Sequence, residues 1–185
     1  GKTMYAAMLT GSEGHVISRD LIDKKTELIE ENIERLGLSN VTVQVHDARE
    51  FDEELTGKAD VVIADLPCSG LGIMGRKNDI KYHVSMESVK ELAQLQREIL
   101  DTVCRYVKPG GTLVYSTCTI DSIENDENAV WFADTHDFSL CGIDDVVPEH
   151  GGERGFVTLH QGIDECDGFF ISKFRADSNN QIGQE

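Results

Sequence analysis

Hydrophobic positions along this chain alternate between a two-residue and a helical period. An apolar, helix-prone run over residues 4–9 leads into residues 15–20, which predict a strand closed by Asp20. Over residues 23–36, Leu28, Ile29, Ile33 and Leu36 recur at helical spacing, with Asp23 expected as the N-cap and Gly37 as the stop. The same grammar repeats in residues 41–47, a β-branched strand ending in Asp47, and a short acidic helix is expected around 49–55. Residues 59–65, ADVVIAD, predict a third strand, apolar enough to be buried on both faces. A Gly-rich polar loop then runs from residue 66 to the region of Ser85.

Residues 87–107 predict a long helix with Val89, Leu92, Leu95, Ile99, Leu100 and Val103 on one side, ended by Lys108-Pro-Gly-Gly. A fourth strand is expected over 112–116, and a helix with acids in its first turn over 122–136. Residues 156–160 and 168–174 predict two strands able to pair antiparallel. Residues 176–185 are polar without an apolar period and read as a disordered tail, which leaves 1–175 as one domain.

Strands alternating with helices imply an α/β fold, a mostly parallel sheet with helices on both faces and an antiparallel strand pair at the C-terminal end. In such sheets ligands bind beyond the carboxyl ends of the strands. Aspartate favours turns and caps in any protein, but Asp20, Asp47 and Asp65 occupy equivalent strand ends and together mark a ligand site.

A length of 185 residues suits a single domain, and no run approaches the roughly 18 apolar residues of a membrane helix. The five cysteines are odd in number, widely spaced and never arranged as C-x-x-C, which suggests neither a disulfide framework nor a metal site. A reducing, cytoplasmic setting is the default. The net charge of −17 argues against holding nucleic acid by a broad basic surface. No coiled coil or apolar stripe calls for an oligomer, so a monomer is expected.

Two cysteines stand apart. Cys68 follows the acid closing the third strand by three residues, and Cys118 directly follows the fourth strand, so both thiols face one crevice if those strands are neighbours. Cys104, Cys141 and Cys166 are expected simply to pack, as buried cysteines commonly do. Around Cys68, Pro67 fixes the chain and Gly70 frees it, a combination that presents a side chain at a strand end. Gly70-Leu-Gly-Ile-Met-Gly75 matches a dinucleotide fingerprint, yet no helix opens after it, so nicotinamide binding is not expected. Arg76, Lys77 and Lys81, near Tyr82 and His83, form a positive island where phosphate contacts would be needed.

These residues resemble a known family. GKT at the start, Asp20 and Asp47, ADLPCSGLG, RKNDIKY, KPGGTLVYSTCT, IENDENAV and DGFFIS are similar, in that order, to the S-adenosylmethionine-dependent RNA cytosine-5 methyltransferases of the Fmu/Sun/nucleolar-protein group. Within the group the chain looks most like the bacterial Sun-type enzymes that act on small-subunit ribosomal RNA. The resemblance implies a Rossmann-like methyltransferase fold with S-adenosylmethionine as cofactor and RNA as partner. It implies that Gly1 and Lys2 end the glycine-rich cofactor loop, that Asp20 binds the ribose hydroxyls and that Asp47 sits by the adenine. Asp65 would lie between the methionine part of the cofactor and the target base. Cys118 would be the nucleophile and Cys68 would assist product release; DNA enzymes use the Pro-Cys cysteine instead, which here would be Cys68.

The family loop reads D-x-C-A-A-P-G-G-K and this chain begins at its last Gly, so the first strand is expected to be missing, together with a basic N-terminal RNA-binding region. Asn78 stands where Pro is common and Gly75 where a basic residue is usual. Methylation of tRNA or other nucleic acid, and a non-catalytic RNA-binding role, are the competing expectations.

Overall fold

Parallel strands joined by helices are what the alternating sequence requires, and two such pairs are present. The computed structural model describes residues 1–143 and 152–178 and divides into two units, Gly1–Phe51 and Asp52–Glu185.

In the first unit α1 (Lys2–Thr10), β1 (Val16–Asp20), α2 (Asp23–Leu36) and β2 (Val41–Val45) follow in order. β1 and β2 pair in parallel, Val16 opposite Val41 through Asp20 opposite Val45. A 2.8 Å hydrogen bond between the Thr3 and Ser18 hydroxyls ties α1 to β1. The Asn40 amide donates to the carbonyls of Ala7 and Gly11 at 2.9 and 2.8 Å, closing off the end of α1. α2 stops where expected: Gly37 takes a left-handed conformation at φ 63°, its N–H donates to the Glu34 carbonyl, and the Leu38 N–H reaches Ile33. Its start differs, because Asp23 is the first helical residue and Ile22 occupies the cap position. The Asp20 carboxylate accepts the Ile22 N–H at 3.0 Å, so the acid closing the strand makes the turn in place of Asp23.

The helix expected around 49–55 shrinks to a 3-10 turn over Glu53–Leu55. In the second unit β3 (Ala59–Asp65), α3 (Ile80–His83), α4 (Met86–Val103), β4 (Val107–Thr117), α5 (Asp126–Thr135), β5 (Phe138–Leu140), β6 (Phe156–Leu159) and β7 (Phe169–Ala176) follow. β3 and β4 are parallel. β7 runs antiparallel to β4 and carries β5 and the expected partner β6 along its other edge. β5 is an element the hydrophobic pattern did not show, being only three residues long. β7 continues through Ala176, which is buried, and residues 179–185 of the expected tail lie outside the described residues.

α4 begins at a reciprocal cap, in which the Ser88 N–H donates to the Ser85 hydroxyl and the Ser85 N–H to that of Ser88. It ends earlier than the apolar pattern suggests. Cys104–Tyr106 form a 3-10 turn and Val107 already belongs to β4. Lys108-Pro-Gly-Gly is therefore a bulge in β4 rather than the helix stop: Ala59 pairs with Val107, but Val61 pairs with Thr112. Gly110 supplies the positive φ of 72° that the bulge needs.

The core lies between α4, α5 and the β4–β7 pair, where Leu100, Leu113, Tyr115, Phe132, Phe170 and Phe174 are fully buried. Phe132 meets Phe174 edge-on with centroids 4.9 Å apart. β3 departs from its expectation of burial on both faces. Ala64 is buried, while Val61 and Ile63 on the opposite face are 55% and 50% exposed. The strand alternation that puts Ala64 inside necessarily turns these two the other way.

Candidate active site

β3 and β4 place their carboxyl ends side by side. Asp65 pairs with Ser116, and the Leu66 N–H extends the ladder to the Ser116 carbonyl at 3.1 Å. The Ser116 hydroxyl donates to Asp65 Oδ1 at 2.9 Å, orienting an otherwise exposed carboxylate. Three residues beyond Asp65 and two beyond Ser116 the two cysteines meet, with Cys68 Sγ 3.3 Å from Cys118 Sγ. The sequence expectation that both thiols share one crevice is met.

Glycines explain how the loop after Cys68 comes so close. Gly70 turns at φ 73°. The Gly72 N–H donates to the Cys118 carbonyl at 3.0 Å, and the Gly168 N–H donates to the Gly72 carbonyl at 2.8 Å. A Cβ on Gly72 would lie 2.2 Å from the Gly168 oxygen and 2.8 Å from the Cys118 oxygen. The dinucleotide-like run is thus a packing device that seats the Cys68 loop on the backbone of Cys118.

The two thiols are not equivalent. The hydrogen bond from Cys68 lowers the Cys118 thiol to about 7, against the opposing effects of burial and of the Asp65 charge, with Lys77 assisting. That same hydrogen bond, followed by burial, pushes the Cys68 thiol far upward. The pair therefore holds one thiolate near neutral pH, on Cys118, the more reactive state of sulfur.

Cys104 is buried as expected and its thiol rises to about 12 through desolvation. Cys141 is partly buried, but Cys166 is exposed, so the expectation that it packs fails. It sits in the turn region before β7, where no apolar layer covers it. In the positive island Arg76 is held by Asp167 at 2.9 Å, and Lys81 lies 4.9 Å over the Tyr82 ring.

Asp20 and Asp47 belong to the first unit and lie at or just past the ends of β1 and β2. Asp20 turns the chain through Ile22 and has Lys25 Nζ at 3.4 Å. Asp47 accepts the Arg49 N–H at 2.9 Å and its guanidinium at 2.6 Å, which holds its carboxyl at about 2. Gly1 caps α1, with open space where a Cβ would project, and Lys2 begins the helix.

The hydroxyls of Thr117 and Thr119, expected around Cys118 from the sequence, are fully buried behind the thiols together with four polar side chains that sequence reasoning missed: Gln96, Glu124, Asn125 and Asn128. Gln96 carried a usable signal, since it lies on the apolar stripe of α4, three residues before Ile99 and seven before Val103. Glu124 and Asn125 lie in the IENDENAV segment that carries the family resemblance, but gave no signal of this contact, because acids and amides ahead of a helix are ordinary there. Among the described residues no group of His, Cys, Asp and Glu is arranged to hold a metal ion, and no helix is long and apolar enough to cross a membrane.

Comparison with known proteins identifies the family and the fold. The family model described as 16S rRNA methyltransferase RsmB/F matches residues 1–175. Ribosomal RNA small subunit methyltransferase F of Escherichia coli is 33% identical over 179 residues, covering 94% of this chain and 37% of that protein. The chain thus spans little more than a third of the length of the curated relatives it matches. The crystal structure of NSun6 from Pyrococcus horikoshii with SFG, an analogue of S-adenosylmethionine, is 28% identical with a TM-score of 0.79, covering 95% of this chain and 44% of that one. A methyltransferase homolog protein from Pyrococcus horikoshii is 27% identical with a TM-score of 0.80, covering 95% and 58%. The fold is that of the Rossmann-like S-adenosylmethionine-dependent methyltransferases, and the chain belongs to the RsmB/F family of 16S rRNA methyltransferases.

Proposed function

We propose that this chain is the methyl-transferring part of an S-adenosylmethionine-dependent RNA cytosine-5 methyltransferase acting on small-subunit ribosomal RNA, with Cys118 as nucleophile. The observation that carries this reading is the 3.3 Å contact between the two thiols. It pairs a sulfur that ionises near neutral pH with one that stays protonated.

The donor set fits the cofactor. A carboxylate has about four acceptor sites; Asp20 uses one for Ile22 and has a longer contact to Lys25, which leaves capacity for ribose hydroxyls. Gly1 and Lys2 stand at the start of α1, and a helix start suits the carboxylate end of a ligand. Asp47 is assigned to the adenine, although Arg49 occupies its carboxylate. Asp65 is assigned to both the methionine part and the base. When bound, S-adenosylmethionine supplies an electrophilic methyl group.

Carbon 5 of cytosine is a poor nucleophile. Addition of the Cys118 thiolate to carbon 6 breaks the ring double bond and makes carbon 5 enamine-like, able to take the methyl group. Asp65, steered by Ser116, hydrogen-bonds the base and stabilises the adduct. Transfer of the carbon 5 proton to water acting as base then re-forms the carbon 5–carbon 6 double bond, breaks the bond from carbon 6 to sulfur and expels Cys118 as its thiolate. Here Cys68 has a definable role: the hydrogen bond that stabilises the Cys118 thiolate also makes that sulfur a better leaving group. The base must be unpaired or flipped to expose its face.

Incubating the protein with labelled cofactor and small-subunit ribosomal RNA, then digesting to nucleosides, tests the reading. Labelled 5-methylcytidine is the expected product. Label appearing only with tRNA or DNA would replace the substrate. RNA binding without any label would favour a non-catalytic role.

A further inference from the structure

The residues flanking each thiol are held from behind by one adjacent pair. Glu124 Oε2 accepts the Ser69 N–H at 2.9 Å, and Glu124 Oε1 accepts the Ser69 hydroxyl. The Gln96 amide donates to Glu124 Oε2 at 3.0 Å and to the Pro67 carbonyl at 2.9 Å. Both neighbours of Cys68 are thereby fixed. Asn125 does the same for Cys118: its Oδ1 accepts the Thr117 hydroxyl at 2.6 Å, and its Nδ2 donates to the Thr119 carbonyl at 3.0 Å. The Ser69 and Thr119 hydroxyls, 2.8 Å apart, join the two halves.

Glu124, Asn125, Thr117 and Thr119 are all 0% exposed. Burying a carboxylate away from water is costly unless its lone pairs are filled, and here Ser69 and Gln96 fill them. Asn125, with a donor and an acceptor on one planar group, spans both sides of a single residue in a way that neither a hydroxyl nor a carboxylate could.

We infer that Glu124 and Asn125 form a two-part clamp that sets the separation of the Cys68 and Cys118 sulfurs, each as a positioning residue for one thiol. This rests on the proposed function for its catalytic meaning but not for its geometry. Glu124 fixes the loop bearing Cys68 through Ser69. Asn125 fixes the strand end bearing Cys118 through Thr117 and Thr119.

A bifunctional thiol reagent that bridges neighbouring sulfurs reads the separation directly, with the bridged peptides located by mass spectrometry. It needs neither cofactor nor RNA. In Glu124→Ala the rate of bridging between Cys68 and Cys118 should fall about a hundredfold, the scale that a misplacement of about 1 Å commonly has. Single alkylation of Cys118 should slow there no further than in Cys68→Ala, because only the donor thiol is displaced. Glu124→Gln, which keeps acceptors for the Ser69 N–H and the Gln96 amide, should recover most of the bridging rate. Asn125→Ala, which frees Cys118 itself, should lose bridging and move the rate of single alkylation at Cys118 away from the Cys68→Ala value, a distinction that general loosening of the fold would not produce.

With RNA and cofactor, kcat should fall in both alanine variants while KM for the cofactor stays within about threefold. Folded Glu124→Ala and Asn125→Ala proteins that bridge at the parent rate would overturn the clamp. Should either fail to fold, Ser69→Ala removes only the hydroxyl link, and an unchanged bridging rate there would overturn it equally. Parent protein that forms no 5-methylcytidine, with bridging lost as described, would defeat the proposed function and leave the clamp standing.

Discussion

Acids stand at strand ends in both units, Asp20 and Asp47 in the first and Asp65 in the second, but the two regions are built differently. At β1 and β2 the carboxylates of Asp20 and Asp47 are satisfied locally, each by a backbone N–H two residues ahead, in a region where Leu21, Ile22 and Val45 remain exposed. At β3 and β4 the functional groups are held by partners far away in sequence: Asp65 by Ser116, Cys68 by Cys118, and Ser69 by Glu124. A locally built turn can present a carboxylate to a ligand. Two sulfurs held in hydrogen-bond contact from separate loops need fixing from several elements at once.

That contrast orders the expected effects of mutation. Cys118→Ala should remove methyl transfer by on the order of a thousandfold or more, with the fold unchanged by circular dichroism. Gly72→Ala comes next, since its Cβ meets backbone and not a movable side chain; a loss of about 1–3 kcal/mol is expected in urea unfolding, with slower bridging of the thiols. Cys68→Ala removes the donor that favours the Cys118 thiolate, so burial and the Asp65 charge should carry the midpoint of Cys118 alkylation upward from about 7. At neutral pH that variant should alkylate more slowly, whereas an unmoved midpoint would dissolve the thiol pair.

In the first unit the effects should be smaller and of another kind. Asp20→Ala should weaken cofactor binding by roughly tenfold in calorimetry, the worth of a charged hydrogen bond, and leave the Cys118 alkylation profile in place. Asp47→Asn should not shift the melting temperature measurably, because the Arg49 half of the pair is exposed and screened by solvent, and asparagine keeps an acceptor for the Arg49 N–H. A large loss of stability at Asp47, or of thiol reactivity at Asp20, would erase the distinction between the two regions.

Local signals were the legible ones. The spacing of Leu28, Ile29, Ile33 and Leu36 with Gly37 behind them placed α2, and the β-branched alternation from Val41 placed β2. Asp65 could be singled out as the acid closing a strand, and Cys68 and Cys118 as thiols just beyond strand ends. What escaped depends on tertiary pairing. Lys108-Pro-Gly-Gly looks like a helix stop until β3 pairs across it and makes it a bulge. Glu124 and Asn125 look like ordinary residues ahead of a helix until Ser69 and Thr117 arrive from other elements. No pattern along the chain encodes such meetings.

Trapping the covalent adduct tests the central claim most directly. RNA containing 5-fluorocytosine and the cofactor would be added to the parent protein, to Cys118→Ala and to Cys68→Ala, and each run on a denaturing gel. Fluorine cannot leave carbon 5 as a proton does, so the thioether should persist. An RNA-bound band in the parent and in Cys68→Ala, absent from Cys118→Ala, is the predicted result. A band that survives Cys118→Ala and disappears with Cys68→Ala would contradict it and make Cys68 the nucleophile.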